Sequence, residues 1–499
     1  MPAPEPKSEC NLLHEWLRLT AAALPEKPAI VEEERITSFG ELFAQAESLA
    51  LRLCDYGIQP GDRIALALAK TTESIIAVFA SLLAGAIYVP LHPRWPRPRM
   101  DAVLAECGAR LLIEIEGREP RITDLQTGAS MAWRGIASAV ALPQTSAEDT
   151  AFLLFTSGST GRPKGVELTH RAVAAFVRWT AQEFLITSSD RLACPSPLGF
   201  DLSTFDIFNM ALCGATAVVV PENIAWMPRF LVQFLRESRI TCWYSVPSIL
   251  AGMLQDGRLA AHSYPDLRLI LFAGETFPAP ILARLQAVVP HALCANLYGP
   301  TETNVVTWCT VPAGFDGAQP LPIGRACPYA KVRVGEDSEE LLAGGDSLMR
   351  GYWNCPDETA RSFVTIGGDL YYRTGDRVSL APDGSYLFAG RLDRQVKRRG
   401  FRIELGEIEA ALLTHQDILE AAVVAVEEEQ IGLRIVAFVR LGAGAAQTSA
   451  NLRAHCGSRL PSYMLPDRIL FLDAIWKGDR GKIDYSALSK FAVAGLRKD

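Results

Sequence analysis

Short apolar runs alternate with stretches of helical period along most of this chain. The runs at 63–68, 151–155, 215–220, 267–272 and 421–426 read as buried strands. The segments 39–53, 74–83, 230–237 and 406–413 carry helical patterns. Strands spaced by helices predict βαβ units and parallel sheet. The longest uncharged run, 74–91, is interrupted by Gly85 and Pro90 and is short for a membrane span. Residues 144–149 read as a loop before a strand. The segment 373–402 differs in texture: it is basic and turn-rich, with Asp383-Gly384, Gly390 and Gly400. A fresh alternation of helix and strand follows it, which places a domain boundary near Asp393. No repeat of about 20–50 residues is present, so a solenoid is not expected.

Composition narrows the class. The chain has 499 residues, and at roughly 100–200 residues per domain that implies two to four domains. Hydrophobic residues make up 49% and charged residues 21%, which excludes a disordered chain. The net charge of -7 and the absence of a basic stripe argue against a nucleic-acid binder. An anionic substrate then needs a locally positive pocket within an acidic whole. The eleven cysteines are scattered and include no CxxC pair, which suits a reduced compartment. The seven histidines form neither HExxH nor a Cys/His knuckle, so no zinc site is expected. The opening MPAPEPKSEC carries no apolar signal region, and the cytoplasm is the expected location.

Residues 154–165, LFTSGSTGRPKG, follow an apolar strand. Gly158 and Gly161 free the backbone to approach an anion, Thr156, Ser157, Ser159 and Thr160 offer hydroxyls, and Lys164 adds charge. A Ser/Gly-rich surface loop is the bland alternative. A Walker A loop is excluded because Gly165, not Ser or Thr, follows Lys164.

This loop resembles the signature of the adenylate-forming superfamily, which includes acyl-CoA synthetases, luciferases and nonribosomal peptide adenylation domains. Further runs resemble its other motifs in order: 87–93 (IYVPLHP, with His92 where Asp is usual), 298–303 (YGPTET), 372–376 (YRTGD), 390–397 (GRLDRQVK) and 481–484 (GKID). The resemblance covers nearly the whole chain. It implies a large N-terminal α/β region, 1–392, with parallel-rich sheets in several subdomains. A small mobile C-terminal α+β domain, 393–499, would turn about a hinge at Asp393.

The implied chemistry joins a carboxylate to the α-phosphorus of ATP with loss of pyrophosphate, so two anions must be brought together by cations. By resemblance the Ser157–Lys164 loop holds the outer phosphates. Tyr298 offers a flat face to adenine, edged by Asn296, Leu297, Gly299 and the Ala273-Gly274-Glu275 turn. Thr301 touches the α-phosphate and Glu302 binds Mg2+. Asp376 accepts the ribose hydroxyls and Arg391 lies on the ribose–phosphate side. Lys482 bridges the α-phosphate and the substrate carboxylate. In a second step Arg399, Gly400, Phe401 and Arg402 line the entry for a thiol. Taken singly, Asp376 can also be read as a turn residue and Tyr298 as a core aromatic.

Asp201, in the apolar run 197–205, requires a partner. In amino-acid-activating members an Asp at this motif binds the substrate ammonium; the alternative is a cap for a helix starting at Leu202. The pocket positions carried over by the resemblance are Asp201, Leu202, Phe205, Tyr244, Leu271, Ala273, Leu297, Val305, Val306 and Lys482. In order they read DLFYLALVVK, similar to the DLLYLALVCK of stand-alone prolyl adenylating ligases, with departures at Phe205 and Val306. L-proline is the substrate this implies; L-alanine or another small aliphatic amino acid stays open, as does an acyl- or aryl-CoA ligase. A catalytically dead binding or scaffold protein is the reading from another class, opposed by Lys164, Glu302, Asp376 and Lys482. Residues 343–348, AGGDSL, resemble a phosphopantetheine attachment motif at Ser347, but Gly351-Tyr-Trp353 follows directly, so attachment there is not expected. The thiol is then expected from a separate peptidyl carrier protein, with ATP and Mg2+ required and no nucleic acid or membrane involved.

Overall fold

The computed structural model describes residues 10–116, 119–135, 140–158, 163–257, 259, 264–336, 338–428, 432–478 and 482–496. Two compact units emerge: Met1–Pro93, Cys107–Phe155 and Gly165–Leu392 form one, and Arg94–Glu106, Thr156–Lys164 and Asp393–Asp499 form the other.

The first unit is built on three sheets. In the nine-stranded sheet the spatial order is Arg325–Ala326, Thr307–Thr310, Leu293–Tyr298, Leu269–Ala273, Cys242–Ser245, Arg191–Cys194, Thr216–Val219, Pro28–Glu32 and Arg35–Ser38. The pairings from Leu293–Tyr298 through Pro28–Glu32 are parallel, and the edge pairings are antiparallel. The strand Leu269–Ala273 is buried at every position, as expected for a strand covered on both faces. A second, eight-stranded sheet has Thr150–Thr156, Ile87–Pro90, Arg63–Ala67 and Leu111–Glu116 at its parallel centre.

One continuous apolar core joins both large sheets through the helices Leu13–Ala23, Phe39–Asp55, Thr72–Leu83, His170–Glu183 and Ser203–Cys213. Local chemistry starts and stops these helices. Ser38 and Glu41 close a capping box before Phe39–Asp55, and Gly214, at φ 70, ends Ser203–Cys213. A second core lies under the helices Pro228–Glu237, Pro247–Gln255 and Ala279–Val288, and a smaller one serves a five-stranded sheet. The large region thus has one core shared by its two largest sheets and two smaller cores beside it.

The turn-rich texture at 373–402 hides regular structure. Asp369–Leu380 is one long strand, paired antiparallel with Tyr386–Arg391. The strand alternates buried and solvated positions, so its outward charges at Arg373 and Arg377 look like loop in the sequence.

In the second unit, Ile418–Glu428 and Gly432–Leu441 run antiparallel, with Arg468–Phe471 parallel to the latter. The helices Leu405–Leu413, Ser449–Gly457 and Tyr485–Leu496 accompany them. A short hairpin, Val396–Arg398 with Phe401–Ile403, turns through Arg399 (φ 53) and Gly400 (φ 79), a turn that requires two left-handed residues. Arg99 and Glu407 form a buried ion pair within this unit. All eleven cysteines are free thiols. Among the described residues no helix is long and apolar enough to cross a membrane.

Candidate active site

The expected adenine residues lie at the C-terminal ends of two neighbouring parallel strands, where ligands bind in open α/β sheets. Ala273 ends Leu269–Ala273, and Gly274 follows with φ 92. The Glu275 carboxylate accepts the Ser248 N–H at 3.1 Å. Asn296, Leu297 and Tyr298 end Leu293–Tyr298, and the Asn296 amide donates to the Pro322 carbonyl at 2.9 Å. The chain then turns sharply. A Cβ on Gly299 would lie 1.7 Å from the Asn304 carbonyl oxygen, so only glycine fits there.

Asp376 is the centre of a buried polar triad. The register of Asp369–Leu380 with Tyr386–Arg391 sets Asp376 directly opposite Arg391. The Arg391 guanidinium donates to Oδ1 of Asp376, and the Tyr298 hydroxyl donates to Oδ2. The Thr374 hydroxyl takes the Asp376 N–H at 3.1 Å. Burial and the neighbouring Asp376 charge raise the Tyr298 phenol well above its ordinary pKa, so it stays protonated and donating. Each carboxylate oxygen has two lone pairs, so both retain capacity for a further donor such as a ribose hydroxyl. Asp376 is therefore a strand residue beside a register shift, not a turn residue.

Glu302 is fully buried, next to the partly exposed Thr301. The Tyr352 hydroxyl donates to its Oε1 at 2.7 Å, and the Tyr352 and Tyr372 hydroxyls lie 3.2 Å apart. Among the described residues no group of three or more His, Cys, Asp or Glu gathers to hold a metal alone. A lone carboxylate already oriented by a phenol fits an ion that takes one or two carboxylates and completes its shell with phosphate and water, as magnesium does.

The positions expected to line an amino-acid pocket lie beside these residues. Tyr244 stands opposite Leu271, and Ala273 opposite Leu297, across neighbouring strands. Phe205 meets Tyr244 edge-on, with ring centroids 5.4 Å apart. Leu202, Phe205, Tyr244, Leu271, Ala273, Leu297 and Val305 share one apolar cluster, whereas Val306 packs with Tyr298, Ile323 and Leu341 in the smaller core. Asp201 precedes the helix Ser203–Cys213, whose cap position is Leu202 rather than Asp201. The Asp201 carbonyl accepts the Thr204 N–H at 2.9 Å, and its charge helps hold the Tyr244 phenol up, after burial as the main cause. Next to Phe205, Asp206 forms a buried pair with Lys70 at 2.7 Å. Burial nevertheless pushes the Asp206 carboxyl up to about 6.

Other expected residues lie in the second unit. Thr156 ends Thr150–Thr156, and Lys164 opens Lys164–Thr169. Ser157 and Gly158 are buried, and the Ser157 hydroxyl donates to the Arg402 carbonyl at 2.8 Å. Ser159, Thr160 and Gly161 lie outside the described residues. Asp393 accepts the Gln395 N–H at 3.1 Å. Lys482 is exposed, and its carbonyl takes the Gly478 N–H at 2.9 Å. Ser347, in the first unit, is fully buried, which closes the attachment motif to modification. No motif chemistry marks Tyr352 in the sequence, though it sits in the Gly351-Tyr-Trp353 run; the signal it offers is a phenol that must find a partner when buried.

Comparison with known proteins gives these residues a family. The AMP-binding enzyme model matches residues 17–353, and the AMP-binding enzyme C-terminal domain matches 407–482. An L-proline--[L-prolyl-carrier protein] ligase of Pseudomonas fluorescens is 39% identical, covering 96% of this chain and 99% of its own length. The ligase of the same name from Streptomyces coelicolor is 36% identical over 94% of this chain and 95% of its own. The crystal structure of IdnL1 superposes with a TM-score of 0.79 at 31% identity, covering 94% of this chain and all of that one. The Vibrio cholerae adenylation domain AlmE, in complex with glycyl-adenosine-5'-phosphate, shares the fold at a TM-score of 0.83 and 24% identity, over 99% of this chain and 100% of its own. The chain belongs to the family of AMP-binding enzymes.

Proposed function

We propose that this chain is an ATP-dependent ligase that activates L-proline as prolyl-AMP, releases pyrophosphate, and passes the prolyl group to the phosphopantetheine thiol of a separate peptidyl carrier protein. The observation that carries this reading is a carboxylate, Asp201, set beside walls that are otherwise apolar. Such a pocket takes an ammonium with a compact aliphatic body. The two prolyl-carrier protein ligases, similar over nearly their whole lengths, support proline over alanine. A CoA ligase for fatty or aryl acids has no use for the Asp201 charge.

In this account Asp201 pairs with the substrate amine, and Phe205, Tyr244, Leu271 and Val305 enclose the ring. Asp376 holds the ribose hydroxyls, with Tyr298 and Arg391 keeping the carboxylate in place. Glu302, oriented by Tyr352, holds Mg2+, which when bound neutralises phosphate charge. The substrate carboxylate then attacks the α-phosphorus, and the bond to pyrophosphate breaks. Lys482 serves that step from a small mobile domain, 393–499, hinged at Asp393 on a core of 1–392. The thiol next attacks the prolyl carbonyl, and AMP leaves. The test is intact-protein mass spectrometry of a phosphopantetheinylated carrier incubated with enzyme, ATP and L-proline. A prolyl adduct that requires ATP supports the assignment; loading by benzoate or octanoate but by no amino acid refutes it.

A further inference from the structure

Val305, expected to wall the amino-acid pocket, is buried and held by a residue outside the ten expected pocket positions. Val305 and Val306 follow Asn304, whose φ of 53 is left-handed. The peptide groups here are satisfied one by one. The Val305 N–H donates to the Asn304 side chain at 2.8 Å. The Val306 N–H donates to the Tyr298 carbonyl at 2.7 Å, and the Val306 carbonyl takes the Cys327 N–H at 2.8 Å. The Val305 carbonyl takes the hydroxyl of Tyr329.

The Val305 carbonyl and the Val306 N–H belong to one planar peptide. That plane is thus pinned at one edge by Tyr298, in the nucleotide site, and at the other by Tyr329. Three of the four groups are satisfied by the loop and its backbone neighbours. The fourth depends on a side chain 24 residues away. The Tyr329 ring is itself fixed: Trp179 meets it edge-on at 5.8 Å, and Trp179 is packed in turn against Trp308 at 5.5 Å and Phe184 at 5.6 Å. A phenol anchored in an aromatic cluster cannot follow the wall if the wall shifts.

We propose that Tyr329 is a specificity-determining positioning residue: its hydroxyl fixes the Val305–Val306 peptide, sets the depth of the amino-acid pocket, and lets the site reject a ring one methylene larger than its substrate. This rests on the reading of the pocket as a proline site. An apolar pocket alone separates homologues differing by one methylene by roughly 10- to 200-fold, and only if its wall does not yield.

The experiment compares wild type and Tyr329→Phe in amino-acid-dependent pyrophosphate exchange with L-proline and with L-pipecolate. Tyr329→Phe keeps the ring and removes the hydroxyl. The expected result is a proline-over-pipecolate ratio of kcat/KM reduced about 3- to 10-fold, the worth of one hydrogen bond. KM for ATP stays within about twofold, because the nucleotide contacts are untouched. In a Val305→Ala background the same change adds little, because both act through one wall. An unchanged ratio, full additivity with Val305→Ala, or equal rises in KM for ATP and amino acid overturns the proposal. A collapsed melting temperature for Tyr329→Phe also overturns it, since the hydroxyl would then hold the fold rather than the pocket. If wild type exchanges with a different amino acid, the proline reading fails separately, and the two enzymes are compared on that amino acid and its next homologue.

Discussion

The hydroxyl of Tyr298 donates to Asp376 across 78 residues of sequence, and both side chains are buried. The residue expected to offer adenine a flat face therefore also orients the carboxylate expected to hold the ribose. Ring and hydroxyl can be separated experimentally. Tyr298→Phe keeps the face and leaves the Asp376 carboxylate, among the described residues, with the Arg391 guanidinium. A hydrogen bond to a charged group contributes about 1.5–3 kcal/mol, so KM for ATP is expected to rise about tenfold or more. KM for the amino acid should change little. Exchange kinetics with each substrate varied in turn measure both; an unaltered ATP dependence would show that the phenol is only packing.

On the proposed reading Asp201 is what separates amino acids from other acids. Asp201→Ala would then remove the partner of the substrate ammonium but leave the nucleotide residues in place. The expected result is a loss of about 100-fold or more in kcat/KM for the amino acid, the cost of leaving a buried charge unpaired. ATP affinity, measured by isothermal titration calorimetry, should hold. Equal losses for both ligands would identify Asp201 as a structural carboxylate.

A pair of histidines sets a pH limit on the fold. His14 and His170 meet edge-on at 5.5 Å, and the His170 Nδ1 accepts the Leu13 N–H at 3.3 Å. Burial lowers His14 to about 4, with Glu15 opposing and Arg18 adding to the shift. Burial, then the charge on His14, lowers His170 to about 3. Both are neutral in the fold at neutral pH, whereas the unfolded chain protonates them below about 6.5. The stability they allow is therefore fully present above pH 6.5 and is lost as pH falls towards 4 for His14 and 3 for His170. The slope is about 1.4 kcal/mol per histidine per pH unit. Melting temperatures between pH 7 and 5 should fall, and His170→Asn, which keeps an acceptor but cannot titrate, should fall less steeply. Parallel curves would contradict the assignment.

Much of this protein was legible before its structure. The alternation of apolar runs and helical patterns located strands such as Arg63–Ala67 and helices such as Phe39–Asp55, because burial on both faces and capping chemistry are local. The order of the short motifs placed the chain in its family. Pairings set by register or by long crossings were not legible. Tyr298 with Asp376, Lys70 with Asp206 and Val305 with Tyr329 depend on which strands become neighbours, and no periodicity announces that. The half-solvated strand Asp369–Leu380 was obscured by its own outward charges.

Lys482 provides a test of the first chemical step that does not depend on substrate identity. Lys482→Ala should lower adenylate formation about 100- to 1,000-fold, the usual consequence of losing a transition-state cation. The exposed position of Lys482 predicts an unchanged melting temperature. Exchange at wild-type rates would remove it from the mechanism.

Activation of an amino acid, with proline preferred, is decided by pyrophosphate exchange with purified enzyme across all proteinogenic amino acids, with benzoate and octanoate alongside. L-proline should drive exchange foremost, with L-alanine well below it and neither simple acid active. Exchange driven by benzoate or octanoate and by no amino acid would rule out an amino-acid ligase.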